Sequence, residues 1–174
     1  MGNKERDKMD EQMVPKAFFV TSGVGMDAEQ TNAFDLALQD AGICECNLVE
    51  VSSILPANAV ETERSSVMVT PGKITFCVMS RADGKSGEVI GAGIGYGWIG
   101  KEDENGKEQR EFGIVCEHHG HYSREYLAEK VQEKLDKMAE IRDKKLFKKD
   151  LLVESVEVGK GKFGSVVVVL VFVF

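Results

Sequence analysis

Potential metal ligands are concentrated in one short segment of the sequence. In order, its six residues are Cys116, Glu117, His118, His119, Gly120 and His121. Thiolate and imidazole groups are ligands that zinc prefers. Because side chains alternate along a β-strand, Cys116 and His118 would share one face and Glu117 the other. At most two could reach one ion without a bend, and no second cluster supplies the rest, so we predict no resident metal. A metal-dependent hydrolase or metal-binding module built on Cys116–His121 is kept as the alternative.

Glu117 has a second potential role, in proton transfer. It follows the apolar pair Ile114-Val115 at the end of a predicted core strand. A carboxyl group there is either solvated at the strand end or desolvated, with a raised pKa that suits an acid catalyst. The sequence leaves both interpretations open. A protonated His118 or His119 beside it would lower the pKa of Glu117.

Two glycines near the N-terminus, Gly23 and Gly25, precede a predicted helix. With Ala28 they form a weak version of the dinucleotide-binding fingerprint, in which glycines let the backbone approach a pyrophosphate. The helix begins too late for that fingerprint, and Glu50 is a poor candidate for its ribose-binding acid. We therefore interpret the two glycines as a strand-to-helix turn.

Periodicity predicts the elements that must position these residues. Apolar runs or alternation indicate strands, and apolar stripes at helical spacing indicate helices. The predicted strands are 17–20, 47–51, 73–80, 88–99, 111–118, 151–158 and 163–174; the helices run from Asp27 or Thr31 to Ala41 and from Ser123 to about Phe147. The pattern predicts an α+β fold, a layered αββα-type sandwich of mostly antiparallel strands with two main helices.

Three features refine this prediction. Glycines at every second position between 88 and 99 leave one face of that strand without side chains. The run Val166–Phe174 is typical of a central strand buried on both faces. We expect 151–158 and 163–174 to form a hairpin around Gly159–Lys162, and residues 57–72 to form a loop.

Composition narrows the functional class. The 174 residues carry 22 Lys and Arg against 29 Asp and Glu, a net charge of −7, which argues against nucleic acid as a partner. The N-terminus has no apolar core of a signal peptide, and no segment is long enough to span a membrane. Four cysteines without a C-x-x-C pair predict reduced thiols in a cytoplasmic protein. We expect a flexible tail, residues 1–15, before a single domain, residues 16–174.

Five segments of the chain form a pattern that is specific in order and spacing. They are Asn32-Ala-Phe-Asp35-x-Ala-Leu38, Ala41-Gly42-Ile43, Asn47-Leu48-Val49, Ser52-Ser53-Ile54-Leu55-Pro56 and Gly113-Ile-x-x-Glu117-x-x-Gly120 before a long helix. Together they resemble the pyruvoyl-dependent arginine decarboxylase family over residues 16–146. Without the resemblance, the serine pair at a strand end would indicate only a turn.

The resemblance implies that the chain cleaves itself between Ser52 and Ser53. A serine hydroxyl beside a strained peptide bond can attack the preceding carbonyl, and elimination from the resulting ester cuts the chain. The family implies that Ser53 becomes a covalent pyruvoyl (pyruvate) group, which leaves a β chain, 1–52, and an α chain, 53–174. Asn47 would donate a hydrogen bond to the oxyanion or hold the scissile carbonyl.

The resemblance also implies an enzyme that converts L-arginine to agmatine and CO₂ through a Schiff base with the pyruvoyl group. Glu117 matches the family's proton donor. Asp35, otherwise typical of a solvated helix face, would pair with the guanidinium of arginine, and Leu38 would pack on its aliphatic stem. The family implies trimers or hexamers with active sites between subunits. A relative that keeps the fold but no longer cleaves is the remaining alternative.

Overall fold

The computed structural model describes residues 13–174, which form nine β-strands and two α-helices. The strands are β1 (Ala17–Asp27), β2 (Asn47–Glu50), β3 (Ile54–Pro56), β4 (Val60–Glu61), β5 (Ile74–Lys85), β6 (Val89–Glu102), β7 (Glu108–Gly120), β8 (Lys145–Glu157) and β9 (Phe163–Val173). The helices are α1 (Gln30–Asp40) and α2 (Arg124–Ile141), and a 3₁₀ turn spans Arg64–Ser66. Of the predicted tail, residues 1–12 lie outside the described residues.

The first sheet is built around β9. Its strand order is β2-β5-β9-β1-β4, and β9 pairs antiparallel with both β1 and β5. The side chains of Val166–Leu170 are fully buried. The predicted central strand is therefore confirmed, because a run that is apolar on both faces can be buried only between two paired neighbours with a layer on each side.

The second sheet has the order β3-β7-β6-β8, and all its pairs are antiparallel. The glycine-lined face predicted for residues 88–99 lies under helix α2. A Cβ on Gly91 or Gly95 would come within 2.6 Å of Leu127 or 2.4 Å of Val131. The missing side chains thus let α2 pack close to β6, with Leu127, Val131 and Leu135 buried between them.

The layers follow the predicted order. An apolar cluster that includes Phe18, Leu55, Val115 and Val168 fills the space between the two sheets. Helix α1 covers the outer face of the first sheet, and α2 covers the outer face of the second. The predicted αββα sandwich is confirmed. Within residues 13–174, neither helix is both long and apolar enough to cross a membrane.

The predicted turn at Gly23 and Gly25 is wrong, because β1 continues through both residues to Asp27. A Cβ on Gly23 would lie 2.0 Å from the carbonyl oxygen of Ala37, and one on Gly25 would lie 2.0 Å from that of Ala33. The glycines therefore allow α1 to lie directly on β1. They form neither a turn nor a dinucleotide site.

The predicted hairpin at the C-terminal end is also wrong. Strand β8 pairs with β6 in the second sheet, whereas β9 lies in the first, so the connection 158–162 crosses between sheets. The second helix is shorter than predicted, because α2 ends at Ile141 and β8 begins at Lys145. The predicted loop 57–72 contains the short β4 and the 3₁₀ turn.

Candidate active site

The Ser52–Ser53 peptide lies where the chain passes from the first sheet to the second. The amide of Val51 donates to the carbonyl oxygen of Cys77 (2.9 Å) on β5, and the carbonyl oxygen of Ser53 accepts from the amide of Val115 (3.0 Å) on β7. The peptide between the two serines thus joins two ladders and belongs to neither. Ser52 is exposed and Ser53 is half-buried.

A tight turn shapes this peptide. The carbonyl oxygen of Ser52 accepts a hydrogen bond from the amide of Ile54 at 3.2 Å, an i to i+2 contact that defines a γ-turn centred on Ser53. The hydrogen bond polarises the carbonyl that precedes Ser53. The same turn fixes the backbone from which the Ser53 hydroxyl projects.

The strand register brings Glu117 beside Ser53. Residue Ile54 pairs with Ile114, so the bond between Ser53 and Val115 places these two residues opposite each other. Glu117 is then the diagonal neighbour of Ser53, on the order of 7–8 Å away. Side chains two residues apart on a strand share a face, so Glu117 lies on the same face of β7 as the buried Val115. Glu117 itself is half-buried.

An apolar cavity of about 220 Å³ adjoins the serine pair. It is lined by Met13, Pro15, Val51, Ser52, Ile54, Phe76, Phe172 and Phe174. The side chains of Val51 and Ile54 are exposed by 39% and 47%, and Phe174 by 44%. The cavity can cover aliphatic carbon beside the serine pair, but none of the described residues that line it has a charged side chain that could recognise a guanidinium group.

The other predicted site residues lie elsewhere in a single chain. The amide nitrogen of the Asn47 side chain donates to the carbonyl oxygen of Gly72 (2.8 Å). Asn47 precedes Ser52 by five positions, about 16 Å of extended chain. Asp35 is exposed on α1, outside the first sheet, and Leu38 is partly buried against that sheet. One chain therefore brings Ser52, Ser53 and Glu117 together, and it places the other three residues apart from them.

The chain is similar to proteins of one known family. A model of the pyruvoyl-dependent arginine decarboxylase family matches residues 17–174. A pyruvoyl-dependent arginine decarboxylase from Methanocella arvoryzae is 40% identical over 130 residues, which cover 73% of this chain and 75% of the relative. The chain belongs to the pyruvoyl-dependent arginine decarboxylase family.

Other relatives in the pyruvoyl-dependent arginine decarboxylase family align over less of their length. The protein from Methanococcoides burtonii is 38% identical over 117 residues, 60% of this chain and 65% of the relative. A probable pyruvoyl-dependent arginine decarboxylase from Chlorobium luteolum is 40% identical over 120 residues, 66% of each. The chain thus spans just under two thirds of the length of these two relatives.

Within this member of the family, the cluster Cys116–His121 does not converge on one point. The thiol of Cys116 contacts the carbonyl oxygen of Val131 at 3.4 Å, and burial raises its pKa to about 11. The ring of His118 stacks on that of Tyr122, with centroids 5.3 Å apart. Among residues 13–174, no three His, Cys, Asp or Glu side chains are grouped so that they could hold a metal ion. This geometry weakens the metal-dependent alternative.

Two residues beside Glu117 were not predicted from the sequence. The buried hydroxyl of Ser80 donates to the carbonyl oxygen of His118 at 2.9 Å. The ammonium of Lys134 donates to the carbonyl oxygen of Glu117 at 2.8 Å. A lone serine in an apolar strand is the only sequence signal for the first contact. Nothing in the sequence signals the second, because Lys134 is one of three lysines of α2 and nothing in its local pattern sets it apart.

Proposed function

We propose that this chain cleaves itself between Ser52 and Ser53 and that the cleaved protein decarboxylates L-arginine to agmatine and CO₂. Family membership supports the reaction class. The observation that carries the proposal is the register of β3 on β7, because it makes Glu117 the diagonal neighbour of Ser53. The cavity beside them is lined by Ser52 and Ile54, the two residues that flank Ser53.

In the proposed cleavage, the Ser53 hydroxyl attacks the carbonyl carbon of Ser52. The peptide C–N bond is exchanged for an ester C–O bond, and the proton passes to the released nitrogen. Loss of the Cα proton of Ser53 then expels the Ser52 carboxylate and cuts the chain. Hydrolysis of the resulting dehydroalanine takes up water and releases ammonia, which leaves a pyruvoyl group at position 53. The hydrogen bond from the Ile54 amide supports the first step by polarising the attacked carbonyl.

The surroundings of Ser53 fit a pyruvoyl group at this position. The Ser53 carbonyl is held by the amide of Val115, and this bond does not involve the peptide that would be cut. The pyruvoyl group supplies the electron sink that decarboxylation requires. Glu117 acts as the acid that returns a proton to the α-carbon, and its half-buried position on the inner face supports that role.

The proposal extends to substrate recognition and assembly. We assign Asp35 to the guanidinium of arginine, Leu38 to its aliphatic stem and Asn47 to the scissile carbonyl. Since all three lie apart from Ser53 in one chain, a neighbouring copy must complete the site, and we propose a homotrimer or hexamer with active sites between subunits. The exposed side chains of Val51, Ile54 and Phe174 around the cavity support such a contact. A cytoplasmic location stays a prediction.

An intact-mass measurement under denaturing conditions tests the cleavage. We expect two species, residues 1–52 and residues 53–174, the second lighter by one ammonia than a chain that begins with Ser53. The variant Ser53→Ala should remain a single chain. A single uncleaved species for the wild-type protein would refute the proposal and favour the non-cleaving alternative.

A second experiment tests Glu117 separately. Glu117→Gln should still cleave but lose most of its kcat for arginine, about 100-fold or more, because general acid catalysis contributes 10²–10⁴-fold. Glu111→Gln, which changes an exposed carboxylate on the same strand, is the matched control and should retain activity. Equal kcat values for the two variants would contradict the role of Glu117.

The assignment of Asp35 predicts a change in KM. Asp35→Asn should raise the KM for arginine by about 10- to 100-fold, because a hydrogen bond to a charged group contributes about 1.5–3 kcal/mol. Glu29→Gln, at the N-terminal end of the same helix, removes the same charge from an exposed position and should leave KM unchanged. An unchanged KM in Asp35→Asn would overturn the assignment.

A further inference from the structure

Within residues 13–174, the strand that carries Glu117 has no partner along one edge beyond Val115. Strand β7 continues to Gly120, but its pairing with β3 ends at Ile114, and the last hydrogen bond between the two segments joins Val115 and Ser53. In an antiparallel pair, alternate residues direct their amide and carbonyl groups to the same neighbour. Glu117 therefore directs its carbonyl toward the position that β3 has vacated, where another donor is needed.

Helix α2 supplies that donor. The ammonium of Lys134 reaches the carbonyl oxygen of Glu117 at 2.8 Å and the Nδ1 atom of His118 at 3.1 Å. From the opposite side, the hydroxyl of Ser80 donates to the carbonyl oxygen of His118 at 2.9 Å. The carbonyl of Glu117 is thus held from the side of α2, and the carbonyl of His118 is held from the side of the first sheet.

The contact with His118 requires one protonation state. An ammonium group has three donors and no acceptor, so Nδ1 of His118 must accept and its ring must be neutral, with the proton on Nε2. The stack of His118 on Tyr122 and of Tyr122 on Tyr126 holds the ring in place, with centroids 5.3 Å and 4.6 Å apart. A second proton on His118 would place two cations in contact.

We propose that Lys134 is a positioning residue for Glu117 and that it acts only while His118 is neutral. The inference rests on the proposed role of Glu117 as the proton donor. Acidification releases Lys134 from His118 and weakens its hold on the Glu117 carbonyl. The proton donor then loses its fixed position relative to Ser53.

The groups around His118 set the direction of the pH dependence. Helix α2 directs Lys130, Lys134 and Tyr126 toward His118. Tyr122 faces His118 from the loop between β7 and α2, and His119 is its neighbour on β7. Burial, and then the charges of Lys134, His119 and Lys130, lower the pKa of His118 below its usual value. His118 is therefore neutral at pH 7. The contact with Lys134 is present near neutrality and is lost as the pH falls below the usual histidine range, about 6.5.

Steady-state kinetics of the cleaved enzyme test the positioning role. Lys134→Met should lower kcat by about 10- to 100-fold, with KM within twofold and complete cleavage. Lys134→Arg should restore most of the activity because it keeps a cationic donor. Lys137→Met, which removes an exposed lysine from the same helix, is the control and should match the wild type. Wild-type kcat in Lys134→Met, or no rescue by arginine, would overturn the proposal.

The pH profile tests the role of neutral His118. The wild-type kcat should fall as the pH is lowered through the His118 titration, and His118→Gln, whose side-chain oxygen can still accept from Lys134, should lack that decrease. An unchanged acid limb in His118→Gln would contradict the proposed release.

A titration that needs no activity separates this inference from the proposed function. The ring protons of the three histidines can be followed by NMR and assigned with His→Gln variants. In Lys134→Met, the pKa of His118 should rise toward the usual histidine value, because the adjacent cation is gone. An unchanged pKa would refute the contact even in an active enzyme. A shifted pKa in a protein that does not decarboxylate arginine would instead refute the proposed function of the site.

Discussion

Alanine at Gly25 tests the close contact between β1 and α1. A Cβ there would lie 2.0 Å from the carbonyl oxygen of Ala33 and 2.5 Å from the amide nitrogen of Ala37. The two backbones would have to separate by about 1.4 Å to reach an ordinary contact of 3.4 Å. A gap of 0.5–1 Å already removes about a quarter to a half of the dispersion attraction of each contact. The substitution therefore loosens the whole helix–sheet cluster.

The expected cost lies at the upper end of the range for overpacked cores. Such substitutions typically destabilise by about 1–3 kcal/mol, and here the contacted atoms are helix backbone, which cannot rotate away. We expect Gly25→Ala to lower the free energy of unfolding by about 3 kcal/mol or more. Urea unfolding followed by far-ultraviolet circular dichroism measures this directly. Protein concentrations must be equal, since the stability of an oligomer depends on concentration.

Gly159→Ala is the matched control. A Cβ at Gly159 would meet only Met26 Sδ at 3.7 Å and Lys162 Cδ at 3.9 Å, and its φ is not positive. This variant should be neutral or more stable by about 0.4–1 kcal/mol, because alanine restricts the unfolded chain. If Gly25→Ala lost less than about 1 kcal/mol, or matched Gly159→Ala, the explanation of the two glycines of β1 would be wrong.

Three further predictions concern other buried groups. Ser80→Ala should lower the free energy of unfolding by about 1–3 kcal/mol, measured by urea unfolding, because the carbonyl of His118 loses a buried donor. Burial, then the hydrogen bond to a carboxylate, raises the pKa of Tyr96, so its contribution to stability is complete below the usual tyrosine value of about 10 and is lost at higher pH. Tyr96→Phe should lose less stability than the wild type between pH 8 and 10.5, and an equal loss would contradict this. Burial raises the pKa of Cys77 to about 12 and that of Cys116 to about 11, so a thiol reagent at pH 8 should modify them only after unfolding.

The layered fold was predictable because its strongest patterns are local. The apolar run at Val166–Leu170 requires burial on both faces, and the alternating glycines of β6 require a close neighbour on one. The pair Asn105-Gly106 is typical of a tight hairpin turn, and the amide of Gly106 donates to the carbonyl oxygen of Asp103 at 2.9 Å. Each of these features can be inferred from the types and spacing of adjacent residues alone.

The errors arose where long-range packing decided the structure. Glycines at 23 and 25 are typical of a turn, but a helix placed on the strand also requires them. Two neighbouring apolar strands are typical of a hairpin, but β9 already has partners on both edges, so β8 pairs elsewhere. In both cases the local pattern allows two structures, and contacts between residues distant in sequence select one.

Some parts of the candidate site follow from local sequence patterns, and others depend on long-range contacts. Ser53 and Glu117 were identified through the resemblance of short segments, and the register of β3 on β7 makes them diagonal neighbours. The contact of Lys134 with Glu117 could not be predicted, because it depends on where β3 leaves the sheet and on how α2 lies across it. A short segment of sequence determines neither the end of β3 nor the placement of α2.

The position of the serine pair also explains how the fold could survive a cut there. Cleavage within a strand would break a ladder, but β2 and β3 belong to different sheets. The bonds from Val51 to Cys77 and from Val115 to Ser53 lie on either side of the scissile peptide and do not depend on it. The turn bond between Ser52 and Ile54 is the one hydrogen bond in this segment that spans the peptide, and its loss costs about 0.5–1.5 kcal/mol. Residues 1–52 would stay attached through β1, which pairs with β9 along eleven residues. A connection between sheets is therefore a place where a chain can be cut to generate a reactive end without unfolding the protein that holds it.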